Sequence, residues 1–175
     1  VQTRKVTTTI QTTTTVMAAS ATAGKANAAS TKKVESINMD SKYSVSNIAS
    51  IAPKMDSRVL KAYKKLGFTV TIDPSVNYGG CFNAHSRSII LRFENETIYH
   101  ELGHFLAFVA GNVDRTSDFA AVYNSEKSKF TGINRSYATQ NSSEYFAESV
   151  LEYVTSPSTL KRQRPVSYTH LRAHE

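Results

Sequence analysis

Two histidines four residues apart, with a glutamate directly after the first, stand in the run Tyr99-His100-Glu101-Leu102-Gly103-His104-Phe105. On a helix, residues four apart lie one above the other on a single face. Two imidazoles so placed can converge on one Zn2+, each about 2.0–2.1 Å from it. The glutamate beside them is positioned to take a proton from a water held by the metal. The chemistry this pattern predicts is metal-assisted hydrolysis, with His100 and His104 as ligands and Glu101 as general base. The bland alternative is a helix with two solvated histidines and a surface glutamate. Ile98, Leu102, Phe105, Leu106 and Val109 weigh against it, because they give the helix an apolar face to bury.

A catalytic zinc needs a third protein ligand and an open position. A third histidine in the extended form of the motif would require Gly at 107 and His at 110, and both positions are Ala. His85 lies upstream, in a stretch that reads as a hairpin turn. A carboxylate from a later helix is the better candidate. The run Ser142-Ser143-Glu144-Tyr145-Phe146-Ala147-Glu148-Ser149-Val150-Leu151-Glu152 offers Glu144 and Glu148, again four apart and among apolar residues. Carboxylates on an apolar face are costly unless something pairs with them. The assignment expected is Glu144 to the metal and Glu148 to the free N–H of a ligand histidine, fixing its tautomer. Two solvated helix glutamates are the alternative for this pair, and Glu152 is expected to be solvated.

Together these residues resemble a known family. His100-Glu101-Leu102-Gly103-His104 followed by Ser143-Glu144-Tyr145-Phe146-Ala147-Glu148 is similar to the peptidase domain of anthrax lethal factor and to the small secreted Pro-Pro endopeptidases related to it. Tyr137 strengthens the resemblance, since that family places a catalytic tyrosine seven residues before its glutamate ligand. The similarity covers about residues 55–155, strong at the two motifs and thin between them. It implies an α+β, zincin-like fold of gluzincin type. A small mixed sheet would set an edge strand beside the helix carrying the histidines, with a second helix carrying the glutamate ligand. It further implies a secreted zinc metalloendopeptidase in which Tyr137 donates a hydrogen bond to the developing oxyanion. The expected partner is an extended polypeptide, with proline-rich extracellular proteins as candidates, acted on by a monomer. Those relatives carry a tryptophan beside the cleft, and this chain has no Trp. Its cleft aromatics are expected to be Tyr78 or Phe82.

The elements that must hold these groups are readable around them. Asp56 marks a helix start, Val59, Leu60, Tyr63 and Leu66 keep helical spacing, and Gly67 stops it. Phe68 to Ile72 reads as a strand, and Cys81–Ala84 with Arg87–Phe93 as a hairpin. The helix of the two histidines is expected from about Asn95 to Ala110, with Gly111 as its stop. A short helix is expected around Asp118–Tyr123 and a longer one over Ser142–Val154, with Pro157 limiting its continuation.

Charge and composition narrow the remaining options. Of 175 residues 40% are apolar, which suits a globular domain, and no apolar run approaches the roughly 20 residues of a membrane span. The formal charge of +7 sits in the ends. Residues 34–160 hold 12 basic and 13 acidic residues, a net of −1, which argues against a nucleic-acid-binding face. Cys81 is the only cysteine, so no disulfide can form within the chain. Residues 1–30 are Thr- and Ala-rich. Arg4 and Lys5, a weakly apolar stretch to Met17 and the Ala26-Asn27-Ala28 triplet match the layout of an export signal, with a disordered segment as the alternative. The metallopeptidase domain is expected over 31–160. Residues 161–175 end in a string resembling one that recurs at the ends of unrelated conceptual translations, and are read as a non-native or disordered tail. Two other classes stay open: a zinc-stabilised extracellular binding module without catalysis, and an adhesin-like surface protein in which the motif arose by chance.

Overall fold

The computed structural model describes residues 41–173. The export signal expected over 1–30 lies outside them.

Two short elements begin the described chain, strand β1 (Tyr43–Val45) and helix α1 (Ile48–Ile51). The next helix, α2 (Ser57–Lys65), starts where Asp56 accepts a hydrogen bond from the Arg58 N–H. It stops at Gly67, whose φ of +73° is a left-handed conformation that favours glycine. Strands β2 (Thr69–Ile72), β3 (Gly80–Asn83) and β4 (Ser88–Leu91) follow.

The sheet order is β1-β2-β4-β3. β1 pairs antiparallel with β2, β2 parallel with β4, and β4 antiparallel with β3. The fold class is therefore α+β around a small mixed sheet, with β3 at one edge. Val70, Ile72, Ile89 and Leu91 turn one face of β2 and β4 into the core.

Helix α3 (Thr97–Val109) packs against β3 and β4. Its Phe105 ring lies 4.9 Å from Tyr63 of α2 and 5.0 Å from Phe68, an aromatic joint between sheet and helices. Gly111 and Asn112, both at positive φ, end α3, and a 3-10 turn (Val113–Arg115) leads into α4 (Ser117–Glu126). Helix α5 (Arg135–Ala138) precedes α6 (Ser142–Thr155), which Asn141 caps by accepting from the Glu144 N–H. Among the described residues no helix is long and apolar enough to cross a membrane.

The helical region continues beyond α6. As expected, Pro157 limits α6, which ends at Thr155. It is the first residue of α7 (Pro157–Gln163), a position where a missing N–H costs nothing. Residues 161–173 complete α7 and form α8 (Pro165–Arg172). The physical reason is a set of buried polar contacts. Arg164, fully buried, lies over the rings of Phe130 and Tyr145 and bonds Ser149 Oγ at 2.7 Å, while buried Glu126 accepts from the Val166 and Ser167 N–H groups. One expectation needs correction: Glu152 is not solvated, because it pairs with Arg164.

Candidate active site

The site is built where α3 crosses α6, and the crossing is close. A Cβ on Gly103 would stand 2.7 Å from the Ala147 Cα and 3.0 Å from its carbonyl oxygen. Small residues at both positions let the backbones approach, which brings the faces of α3 and α6 bearing polar groups within reach of each other. His100 and His104 come from α3, one turn apart. Glu144 and Glu148 come from α6, also one turn apart.

His100 lies between the two carboxylates. Its Nδ1 is 3.0 Å from Glu148 Oε2 and its Nε2 is 3.1 Å from Glu144 Oε2. The His104 Nε2 is 3.5 Å from the same Glu144 oxygen. His100, His104 and Glu144 each offer one ligand atom, and these atoms all lie within 4.8 Å of one another. Four ligands at about 2.0–2.1 Å around a tetrahedral ion stand about 3.3–3.4 Å apart. The 3.1 and 3.5 Å separations on either side of Glu144 bracket that edge, so two of the three donor–donor distances suit a tetrahedral ion, and two imidazoles with a carboxylate suit zinc. Glu148 touches the other nitrogen of His100 and leaves the metal-facing side clear.

Burial sets the electrostatics. Burial works against a charged His100, but the hydrogen bonds to Glu144 and Glu148 outweigh it and lift its pKa to about 9. Burial would also raise Glu144, yet hydrogen bonds from His100, His104 and Tyr137 hold its carboxyl well below the usual carboxylate range. Glu101, only 4% exposed, is pushed up by burial, an effect that the nearby histidines oppose.

Glu101 is also fixed in place. It leaves α3 toward the edge strand, where a Cβ on Gly80 would meet its Oε1 at 2.5 Å, and the Phe82 backbone pulls its pKa down. Gly80 is required by this packing. The sequence signalled the position only as part of a turn.

Tyr137 sits on α5, half exposed at 51%, with its ring 6.1 Å from that of His100. Burial, and then Glu144, raise its pKa, so the phenol stays protonated and remains a donor. A cleft of about 590 Å3 opens over these groups, lined by Gly80, Phe82, Glu101, His104, Tyr137 and Glu144 among others. Phe82 lies on its wall, its ring stacked 6.5 Å from His104. Tyr78 is not among the residues lining it, and His85 sits exposed on the turn between β3 and β4.

Residues 83–174, more than half of the chain, match the family model described as anthrax toxin lethal factor, N- and C-terminal domain. The chain belongs to that family. The family's description spans two domains, so membership by itself assigns no chemistry to the cleft. Among solved structures, the Pro-Pro endopeptidase PPEP-2 from Paenibacillus alvei shares the fold, with a TM-score of 0.61 at 19% identity over 73% of this chain and 90% of that one. No curated protein matches the chain.

Proposed function

We propose that the chain is a zinc endopeptidase of the gluzincin type, with His100, His104 and Glu144 as metal ligands and Glu101 as general base. One observation carries the reading. Two imidazoles and a carboxylate from two helices converge within ligand distance beside a buried glutamate that is not itself a member of that triad. Zinc held there would supply Lewis-acid polarisation of the scissile carbonyl and lower the pKa of water.

The chain's own residues would do the rest. Glu101 takes a proton from the attacking water and passes it to the leaving nitrogen. Its contact with Gly80 and Phe82 keeps the carboxylate aimed into the cleft. Tyr137 donates its hydroxyl to the oxyanion that develops on the substrate carbonyl. Glu148 holds the Nδ1 side of His100, fixing ring orientation and tautomer. Among the described residues no strand covers the outer edge of β3, which offers its backbone groups to an extended substrate.

For substrate class, the family relatives and the rigid extended shape of proline-rich chains favour an exported protein substrate of that kind. Phe82 takes the place of a cleft aromatic. Secretion, read from the layout of residues 1–30, belongs to the same proposal.

The test is metal analysis together with proteolysis. Purified protein reconstituted with zinc should hold one ion per chain and cleave an unstructured protein such as casein. A strong chelator should abolish that activity and zinc should restore it. Far less than one zinc per chain sinks the metal site, whereas full zinc with no cleavage of any polypeptide leaves a binding module.

A further inference from the structure

One wall of the cleft carries a group for which this chemistry has no use. Arg115 lines the cleft together with Asn141, Ser142 and Ser143, across from β3. It is the only Lys or Arg among the residues lining it. The side chain is 75% exposed, but its backbone is held firmly. The Arg115 N–H bonds the carbonyl of left-handed Asn112 at 3.0 Å, in the 3-10 turn that follows α3.

The neighbouring residue anchors that turn to the site. Asp114 is 4% exposed and accepts a hydrogen bond from the Ser143 hydroxyl, one residue before the ligand candidate Glu144. The turn and the start of α6 are therefore fastened together. Arg115 Nε stands 3.9 Å from Asp114, on an oxygen already bonded to Ser143. Among the described residues no other carboxylate lies within ion-pair distance of Arg115. An exposed guanidinium on a cleft-lining residue, with no close ion pair of its own, has donors to offer a carboxylate.

We infer that Arg115 is a specificity-determining residue whose guanidinium receives a carboxylate of the bound polypeptide. That carboxylate is an acidic side chain at a fixed distance from the scissile bond, or the substrate's own C-terminus. The inference rests on the peptidase reading above and adds a charge preference to it. Glu101 and Glu144 on the floor of the same cleft would repel such a group, so the acidic residue is accepted at the Arg115 wall and rejected at the reacting centre.

The experiment profiles cleavage of a random peptide library by the zinc-loaded full chain and by Arg115→Ala, Arg115→Lys and Arg115→Glu. Zinc content and circular dichroism are measured for each variant. The wild type should enrich Asp or Glu at one position. For a matched pair of peptides, acidic against amide at that position, kcat/KM should differ roughly ten- to hundred-fold, the worth of one charge-assisted hydrogen bond. Arg115→Lys should keep part of the preference, Arg115→Ala should bring the ratio near one, and Arg115→Glu should turn it toward Lys or Arg. Binding of the same pair to Glu101→Gln, followed by fluorescence anisotropy, should show the same ratio without turnover.

Loss of the preference on amidating the peptide C-terminus would assign the carboxylate to the chain end, and its persistence to a side chain. No acidic enrichment, or one unchanged in Arg115→Ala, overturns the inference and leaves the peptidase standing. No cleavage of any peptide by zinc-loaded wild type removes both.

Discussion

The His100 Nδ1 and Glu148 Oε2 stand 3.0 Å apart across the α3–α6 crossing, while the other nitrogen of the same ring is 3.1 Å from Glu144. One imidazole thus separates two glutamates with different expected duties. Glu144→Ala should lose zinc. Glu148→Ala should retain some, since removing a partner behind a ligand typically costs about 10–100-fold in metal affinity or activity. Zinc titration of both variants decides the matter, and the reverse order would mean the two carboxylates have been exchanged.

Chemistry should separate from metal binding at Glu101. Glu101→Gln keeps the size of the side chain, and the fold and zinc content should stay. Turnover should fall by about 10²–10⁴-fold or more, the range for a lost general base. Tyr137→Phe should also keep its zinc, with a smaller loss expressed mainly in kcat. Wild-type rates in Glu101→Gln would remove that residue from the mechanism.

Packing at Gly103 makes a prediction about stability. Even the methyl group of Gly103→Ala would collide with backbone of α6 that cannot swing aside. Overpacking of this kind costs about 1–3 kcal/mol, and it should part the two ligand helices as well. Urea denaturation should show the loss of stability and metal titration the weaker zinc binding. A variant as stable as wild type, with unchanged affinity, would show that the crossing is not tight.

At Gly80 the same substitution should act on rate. Its new methyl would meet the Glu101 carboxylate at 2.5 Å and Thr97 at 2.9 Å. The base would have to move while the ligand triad stays in place. Steady-state kinetics on Gly80→Ala should give a reduced kcat with zinc retained. An unaltered kcat would show that Glu101 needs no support from the edge strand.

Local rules carried much of the fold. Asp56 caps α2, and Gly67 and Gly111 end α2 and α3 at positive φ, all visible as residue types at the ends of periodic apolar runs. The two motif helices were legible because each repeats its polar groups every four residues within an apolar pattern. What failed was decided at long range. The pairing of Tyr43–Val45 with β2 has no strong alternation of its own to announce it. Pro157 was legible as the limit of α6, but nothing around it announced that it would also start a further helix. Glu152 reads as a surface residue until Arg164 is found folded against it. Arg115 carried no motif at all, and its place on the cleft wall follows from a turn tied down by Asp114 and Ser143.

His100 and Glu144 are 44 residues apart in the chain, and its only cysteine leaves it no internal disulfide. An ion seated between them would close that stretch into a loop and do the work of the missing covalent cross-link, restricting the unfolded chain. Folding and metal supply would then be one equilibrium. Each tenfold rise in free zinc above the dissociation constant would add about 1.4 kcal/mol to the folded state, seen as a thermal midpoint that climbs with zinc and stays level with magnesium. In surroundings poor in zinc such a protein would become inactive and easier to degrade together, so its working lifetime would be set by the metal available where it acts.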